Sequence, residues 1–566
     1  MMQLPADVLY LVCEEVSRLQ DFNTLFNCAL TGKVLVQPAL LCLYRNYLQS
    51  TITNSEGNDA DLTQNDTFQG RVEAQKTTLL KWALLWKSII RSSLGTTAYP
   101  YCLYIRSLDL RNLTDLLEDP QFRDKAWDTF FADEMARFLR LQQTQMSQKT
   151  RGGKSIPKRL EVTAVLELVG ESITSFISQS ASENRTTVAI EDLSGYIHPT
   201  ALVNWTSRLS NLKSMTLWDG SALNKSVADA IAENCFNFDD LTFFTCFKND
   251  TDHDLASFFG GLRANTLRSF VALSAGAVGP ETLLSLNHHT NSLQKLKLDG
   301  LRSEAVKHLS YLQGCTTLQS LELSDSEGVI DLEATENDVF LETINWLGRC
   351  EALQELLLRD FVSGPKILTQ VCLKNNIHLQ KLQVVGYPLA GNQDFHKALT
   401  HQTSLQSLEL RADPESAFRD DIDILVASIC RLTSLKYLDL QTTSDYFSTN
   451  ILLTLVAHLP ELEEVSFGGY DVTDDLWHGV SQLHNLRSLN IHAVTSFSFG
   501  AMLEYVTTLQ GTNKGLLLSV MNQKAENPIT ERQEKTIRQS IEARVDGKFE
   551  FTLFREPDSE SDTPSD

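Results

Sequence analysis

Residues 293–298 read Leu-Gln-Lys-Leu-Lys-Leu, and residues 318–323 read Leu-Gln-Ser-Leu-Glu-Leu. The same Leu-x-x-Leu-x-Leu pattern returns at intervals of 25, 35, 26, 26, 30, 27 and 24 residues. The first leucine of each copy is Leu293, Leu318, Leu353, Leu379, Leu405, Leu435, Leu462 and Leu486. Alternating apolar and polar side chains predict a short strand with one buried face. Residues between two copies follow a helical period instead, as at Ile367, Leu368, Val371 and Cys372.

One strand and one helix cannot bury their apolar faces alone, so the repeating units must stack. Stacking places parallel strands on the inner side and helices on the outer side. Degenerate copies of the pattern extend the array towards the N-terminus and begin at Leu267, Phe238, Leu212, Arg185 and Ile105. The sequence therefore predicts an α/β solenoid.

This repeat resembles the helix-backed leucine-rich repeat of about 26 residues, which implies a horseshoe-shaped solenoid. That family usually places Asn or Cys three residues after the last consensus apolar position. Cys246 alone fits this rule here. The side-chain ladder that satisfies the turn backbone is therefore expected to be absent, and the solenoid to be irregular.

Three short amphipathic helices are predicted in the first 48 residues. Leu4-Pro5-Ala6-Asp7 opens the first, since Pro fixes φ and Asp favours a helix N-terminus. Its apolar face carries Val8, Leu11, Val12 and Leu19, a second apolar set runs from Phe22 to Leu30, and a third follows Pro38. Three helices of this length expose more apolar surface than they can bury against one another. We expect this surface to bind either the solenoid end or another protein.

The segment resembles an F-box, the three-helix module that binds the Skp adaptor of cullin–RING ubiquitin ligases. Leu4-Pro5, Asp21-Phe22 and Leu30-Thr31 match that motif, whereas its Trp is missing and Val34 stands near that place. With the solenoid, the chain looks like a fungal F-box/leucine-rich-repeat protein. The resemblance implies an adaptor-binding surface formed by Leu4, Pro5, Val8, Leu9, Val12, Phe22, Leu25 and Leu30.

The predicted organisation has six parts. They are the F-box-like module at 1–48, a flexible acidic loop at 49–72, a helical linker or cap at 73–104, the solenoid at 105–524 with an insertion at about 142–158, a C-terminal cap at 525–555 and a disordered acidic tail at 556–566. The linker contains a helix predicted from Glu73 to Leu94. The cap contains a helix from Thr530 to Val545 and a strand from Phe549 to Phe554.

Composition excludes several classes of partner. The 566 residues contain 49 Lys and Arg against 72 Asp and Glu, a net charge of −23, which disfavours binding to nucleic acid. No stretch predicts a membrane span or a signal peptide. Ten cysteines without a CxxC pair fit a reducing compartment. We expect a cytoplasmic or nuclear protein, or one present in both compartments.

Catalytic motifs are missing from the sequence. Gly152-Gly153-Lys154-Ser155 lacks the earlier Gly of a phosphate-binding loop, because that position is Gln148. His396 and His401 are interpreted as helix-surface residues. The sequence predicts neither a metal site nor a cofactor. The F-box resemblance implies a non-catalytic subunit of an E3 ubiquitin ligase complex.

The exposed strand positions predict a surface for a protein substrate. They include aromatic residues near the start of the array, Trp218 and Phe244, and a charged mosaic in the middle. The expected substrate-binding residues are Lys295, Lys297, Glu322, Glu355, Arg359, Lys381, Glu409, Arg411, Tyr437 and Asp439. The leading prediction is a substrate receptor that binds the Skp adaptor and through it a cullin–RING ligase. Two alternatives stay open, a stand-alone interaction scaffold and a regulator of a small GTPase.

Overall fold

A computed structural model describes residues 5–50, 52–53, 68–142, 159–248, 251–413, 417–443, 446–522 and 529–553. The chain divides into two units, Met1–Leu273 and Ser274–Asp566. Leu4, the insertion at about 142–158 except for its first residue, the tail at 556–566 and most of the loop at 49–72 lie outside the described residues.

The first unit begins with three helices and continues as alternating strands and helices. The helices are α1 (Ala6–Arg18), α2 (Phe22–Thr31), α3 (Lys33–Arg45), α4 (Phe68–Ser92), α5 (Leu110–Glu118), α6 (Phe122–Lys125), α7 (Trp127–Phe130), α8 (Val162–Asn184), α9 (Pro199–Thr206), α10 (Lys225–Asn234) and α11 (Asp252–Gly261). The strands are β1 (Ser107–Asp109), β2 (Asp192–Gly195), β3 (Ser214–Asp219), β4 (Asp240–Thr245) and β5 (Ser269–Ala272).

The second unit repeats the same alternation. Its strands are β6 (Lys295–Leu301), β7 (Ser320–Asp325), β8 (Glu355–Arg359), β9 (Lys381–Pro388), β10 (Ser407–Asp413), β11 (Tyr437–Leu440), β12 (Glu464–Val472), β13 (Ser488–Thr495), β14 (Leu517–Asn522) and β15 (Lys548–Leu553). Its helices are α12 (Pro280–Ser285), α13 (Ser303–Val306), α14 (Leu332–Thr335), α15 (Asn337–Leu347), α16 (Gly364–Cys372), α17 (Gln393–Ala398), α18 (Arg419–Ile429), α19 (Thr449–His458), α20 (Asp475–Val480), α21 (Phe499–Thr508) and α22 (Glu531–Val545).

Within each unit, every strand pairs in parallel with its neighbours in chain order. The consensus leucines occupy matching positions, so that Leu296 lies beside Leu321 and Leu321 beside Leu356. These side chains are buried between the strands and the helices. Burial of a leucine or another large apolar side chain contributes about 1.5–3 kcal/mol, and every strand buries at least one such side chain. The predicted α/β leucine-rich-repeat solenoid is confirmed.

Two buried polar side chains bond the turn backbone as the Asn or Cys ladder of the repeat family does. Thr443, three residues after the last apolar position of its repeat, is fully buried, and its hydroxyl donates to the Leu410 carbonyl. Asn522 is also buried, and its Oδ1 accepts from the Thr495 backbone N–H at 3.2 Å. Thr443 and Asn522 therefore satisfy the turn backbone at these two repeats, which departs from the expectation of an absent ladder.

The predicted start of one repeat, at Arg185, is wrong because the strand lies in a different register. Strand β2 begins at Asp192, and Leu193 pairs with Leu108 on one side and with Met215 on the other. The first consensus position is thus Ile190, five residues later than predicted. Helix α8 extends to Asn184 and leaves no room for an earlier strand.

Helix boundaries also differ from the sequence prediction. Helix α3 begins at Lys33 and contains Pro38, whereas the prediction started this element after the proline. A proline inside a helix removes one backbone hydrogen bond, here the one to the carbonyl of Val34. Val34 is half exposed, so water can satisfy that carbonyl. Helix α4 starts at Phe68, five residues before the predicted start. It ends at Ser92, two residues before the predicted end.

His396 is fully buried, which contradicts the prediction of a helix-surface residue. It lies on α17, and its Nε2 is 3.3 Å from the hydroxyl of the buried Tyr387. Burial lowers the pKa of His396 from 6.5 to about 4, against the opposing attraction of Asp421. This histidine is therefore a neutral component of the core at pH 7.

Candidate protein-binding surfaces

The three N-terminal helices share a small core of their own. Cys13, Leu25, Ala39 and Cys42 are buried there. Asp21 caps α2, because its Oδ1 accepts from the Thr24 N–H at 2.9 Å. Leu25 was predicted to contact the adaptor, but its side chain has no exposed surface and instead holds α2 against α1 and α3.

Helix α1 is apolar on two sides, and only one of them faces this core. Cys13 is buried and Val16 packs beside it. The face singled out in the sequence, with Val8, Leu11 and Val12, points outward, and Leu11 is 61% exposed. Such a helix leaves apolar area in contact with water unless a partner covers it.

Helices α2 and α3 also carry exposed apolar side chains. Among the predicted adaptor-binding residues, Pro5, Val8, Val12 and Leu30 are exposed, whereas Leu9 and Phe22 are half-buried. Further exposed apolar side chains that the predicted set omitted are Leu11, Leu19, Phe26 and Val34. Leu11 and Leu19 share the helical face of Val8, and that spacing was the signal for including them. We call these exposed side chains, from Val8 to Val34, the outer helical face.

A different side of the module packs on the rest of the first unit. The hydroxyl groups of Tyr44 and Ser88 lie 2.8 Å apart, and the rings of Tyr44 and Tyr101 stack at 4.6 Å. Tyr47 is buried edge-on against Trp86, and its hydroxyl donates to the Ser107 carbonyl at 3.3 Å. Among the described residues, the module thus contacts the rest of the first unit through the end of α3 and the turn after it, and these contacts leave the outer helical face uncovered.

The predicted substrate-binding residues all lie on the outward side of the strands in the second unit, on strands that pair in sequence from β6 to β11. Register places them in three adjacent rows. The first row contains Lys295, Glu355, Lys381 and Tyr437, the second contains Lys297, Glu322, Glu409 and Asp439, and the third contains Arg359 and Arg411. We call this surface the charged strand face.

Two cations of the charged strand face, Lys297 and Arg411, are paired with neighbouring acids. Lys297 Nζ lies 2.5 Å from Glu322 Oε1 on the next strand. Arg411 lies 2.7 Å from Glu409 and 3.4 Å from Asp439. Because Lys297 and Arg411 are neutralised locally, they attract a distant partner only weakly. A partner would have to exchange these ion pairs for contacts of its own.

Burial shifts the pKa values of two groups on the charged strand face, Glu409 and Tyr437. It raises the pKa of Glu409, although Arg411 opposes the shift. It also raises the pKa of Tyr437 to about 12, helped by the negative charges of Asp439 and Glu409. Tyr437 is consequently a neutral hydroxyl at pH 7, with an apolar ring beside a carboxylate pair. This combination suits a partner's hydrogen-bond donor or cation.

The remaining histidine, cysteine and acidic side chains of the described part of the chain were candidates for metal binding or nucleophilic chemistry. Among these residues, no group of three or more His, Cys, Asp or Glu lies close enough to hold a metal ion. Burial raises the pKa values of Cys315, Cys350 and Cys372 to about 12, so these thiols stay protonated at pH 7. No helix in the described ranges combines the length and apolarity needed to cross a membrane.

Comparison with known proteins returned no matching family model and no matching curated protein. Solved structures that resemble the chain include the mouse RP105/MD-1 complex, with 14% identity over 62% of this chain and a TM-score of 0.34. The chain spans 58% of that neighbour's length. A Listeria monocytogenes internalin has 12% identity over 56% of this chain and 88% of its own, with a TM-score of 0.32.

The yeast Rad7 and Elc1 complex has 17% identity, covers 54% of this chain and 87% of its own, and gives a TM-score of 0.27. At these identities and scores the similarity concerns the repeat architecture alone. The repeating strands and helices of the described residues give this chain the architecture of a leucine-rich-repeat protein.

Proposed function

We propose that the chain is the substrate-receptor subunit of a Skp–cullin–F-box type ubiquitin ligase. The N-terminal module binds the Skp adaptor, and the repeats recruit a protein target. The observation that carries this proposal is the outer helical face, an apolar surface that the module exposes while it packs on the solenoid through Tyr44 and Tyr47. Among the described residues of the first unit, none covers Leu11 or Leu30, which are 61% and 69% exposed.

Burial of such side chains at an interface supplies binding free energy. A fully buried leucine contributes about 1.5–3 kcal/mol, and several on one surface are enough for stable association. Leu25 and the rest of the module's core hold the three helices at fixed angles, so the surface is preformed. A preformed surface loses little conformational entropy when it binds.

The receptor itself performs no bond-making step in this proposal. It holds a target near a ubiquitin-charged enzyme that the cullin complex supplies, which raises the effective concentration of the target's lysines. The charged strand face, with Lys297, Glu322 and Arg411 among its central residues, contributes to target recognition. Its paired charges favour specificity over high affinity, since a partner without complementary charges leaves buried charges unpaired at the interface.

Co-expression of the full chain with the Skp adaptor tests the adaptor-binding role. A Val8→Asp/Val12→Asp variant places two charges on the outer helical face and should abolish co-purification. The matched control is Leu284→Asp, which charges a leucine of similar exposure on α12 of the second unit. Circular dichroism should show that both variants are folded.

Three results are informative. Binding by the parent and the control, but not by the double variant, supports the receptor role. Equal binding by all three chains moves the adaptor contact away from the outer helical face. A folded parent that does not bind the adaptor refutes the ligase role and leaves the second candidate, a stand-alone leucine-rich-repeat scaffold, which the charged strand face alone would support.

A further inference from the structure

Strand β1 lies at one end of the first unit's sheet, and among the described strands it pairs only with β2. The Arg106 carbonyl accepts from the Asp192 backbone N–H of β2 at 3.2 Å. Because backbone groups alternate in direction along a strand, those of Ser107 and Asp109 point to the opposite, open side. An open strand edge can pair with another chain, and the terminal repeat of a solenoid needs a cap that prevents this.

Tyr47, in the turn that follows α3, covers this open side. Its hydroxyl donates to the Ser107 carbonyl at 3.3 Å and accepts from the Asp109 N–H at 3.4 Å. A tyrosine hydroxyl can donate and accept at once. The side chain is 2% exposed and lies edge-on against the ring of Trp86. The N-terminal module therefore supplies hydrogen bonds that a further strand would otherwise make at these positions.

A second tie between the end of the module and the first repeat centres on Asn112 of α5. Its Oδ1 accepts from the indole N–H groups of Trp82 and Trp86 at 2.8 and 2.9 Å, and its Nδ2 donates to the Thr53 carbonyl at 3.0 Å. The Thr53 hydroxyl donates to the Tyr47 carbonyl at 2.7 Å. Because Asn112 is buried, losing one of these bonds leaves a polar group unpaired in the core, which favours opening of the whole network together. We call Tyr47, Thr53, Trp82, Trp86 and Asn112 the edge contact.

Helix α3 connects the edge contact to the rest of the module. Ala39 and Cys42 of this helix belong to the core that the three N-terminal helices share, and Tyr47 follows its last turn. Tyr44, near the end of α3, stacks on Tyr101 at 4.6 Å. Because close packing holds α3 against α1, a movement of the module away from β1 carries the outer helical face with it.

We propose that the N-terminal module is also the cap of the solenoid, and that a partner bound to the outer helical face stabilises β1 through the edge contact. The module and β1 open as one unit, so a ligand that binds only the closed module lowers the open population of both. The capping role stands on the edge contact alone. The coupling rests on the proposed adaptor role, which supplies the partner.

Hydrogen exchange of the free full chain, followed by mass spectrometry, tests the capping role. Tyr47→Phe keeps the ring beside Trp86 and removes the hydroxyl, so peptides that contain Asp109 should exchange there at least about tenfold faster than in the parent. The matched control is Tyr505→Phe, which removes the hydroxyl of a buried tyrosine on α21 of the second unit and should leave β1 unchanged. Unchanged exchange at β1 in Tyr47→Phe would overturn the cap.

Hydrogen exchange in the presence of the Skp adaptor tests the coupling. At an adaptor concentration about one hundred times the Kd, β1 of the parent should exchange about 100-fold more slowly, because the open population falls by that factor. Asn112→Ala breaks the edge contact away from the outer helical face. This variant should bind the adaptor with about the parent's affinity and show less than about threefold protection of β1. Full protection in this variant would overturn the coupling through the edge contact.

The matched control for Asn112→Ala is Asn513→Ala. Asn513 is also buried, and its Nδ2 donates to three backbone carbonyls of the second unit, so this variant should keep the full protection of β1. Circular dichroism verifies that each variant is folded. If Asn112→Ala does not fold, Asn112→Asp keeps an acceptor for the two indoles, loses the donor to Thr53 and should give the same loss of protection.

Failure of this proposal is distinguishable from failure of the ligase role. A parent that binds the adaptor without protection of β1 refutes the coupling and retains the ligase role. A parent that does not bind the adaptor refutes both the ligase role and the coupling, and the exchange of Tyr47→Phe still decides the cap. Faster exchange in Tyr47→Phe, together with about 100-fold protection of the parent by the adaptor, supports the cap and the coupling.

Discussion

Replacing His396 by glutamine should remove a specific pH dependence of folding stability. The imidazole is buried on α17, its Nε2 faces the Tyr387 hydroxyl, and its Nδ1 has no hydrogen-bond partner. Asp421 is the acidic group that acts on it, and Asp421 is itself held by the Phe418 N–H and the Gln393 side chain. Protonation would therefore place a positive charge in the core with one carboxylate nearby.

The size of the effect follows from the two pKa values. The pKa of this histidine is 6.5 in a free side chain and about 4 in the fold. Between these values the unfolded chain binds more protons than the folded chain, so stability falls as pH falls. Linkage gives a loss of about 1.3 kcal/mol between pH 7.5 and pH 5.5, and about 3.4 kcal/mol once pH is well below 4.

Urea-induced unfolding of the parent and of His396→Gln at pH 7.5 and 5.5 measures this term. Both pH values stay above the isoelectric point near 5.0, which limits precipitation. Glutamine keeps a polar group near Tyr387 and does not titrate, so the stability difference between the two chains should change by about 1.3 kcal/mol. His401→Gln alters an exposed histidine five residues later and serves as the control. The same difference at both pH values would refute a buried neutral His396.

Leu25→Ala should destabilise the N-terminal module by about 2–5 kcal/mol, measured as faster limited proteolysis within α1–α3 and weaker adaptor binding. Thr443→Val should cost about 1–3 kcal/mol in urea unfolding, because a buried strand carbonyl loses its donor, whereas Thr443→Ser should retain most of the stability. Replacing Lys297, Arg359 and Arg411 together by Glu should abolish capture of a target that binds the charged strand face, measured as affinity for the first identified client. Unchanged affinity would place the target site elsewhere.

Most strands of the solenoid could be predicted because each repeat carries its own signal. Leu296 and Leu298 alternate with lysines, and the same pattern returns 25 residues later. The signal failed at β2, where the segments from Arg185 and from Ile190 both resemble a repeat. Pairing of Leu193 with the strands on either side shows that the repeat starts at Ile190. The segment's own sequence could not show this, because the register depends on the neighbouring repeats.

Which side of a helix faces the core was harder to predict than the helix itself. Helical spacing placed His396 on a helix, but its burial depends on Tyr387 and Asp421 from neighbouring segments. Helix α1 has apolar residues on two faces, and composition cannot tell which one the module buries. Leu25 and Cys42 on the other two helices pack against Cys13, and this contact determines which face of α1 points outward.

The strand residues of the charged face were identifiable from alternation, but their ion pairs were not. Lys297 and Glu322 are 25 residues apart, so their contact depends on strand register. Sequence reasoning treated the mosaic as a set of available charges, and the structure shows that several of them neutralise one another. The effective charge of that face is therefore smaller than the residue types suggest.

Attraction and anchoring of a partner consequently have separate origins in this chain. The net charge of −23 acts at long range and speeds the encounter with a cationic partner, and salt weakens it. The paired cations of the charged strand face add little to that attraction, since Lys297 and Arg411 already contact acids. The adjacent rings of Trp218 and Phe244 act only at contact, where their burial by a partner slows dissociation. Salt should therefore reduce the association rate of a bound partner, whereas loss of Trp218 should raise its dissociation rate, because the two terms act at different stages of binding.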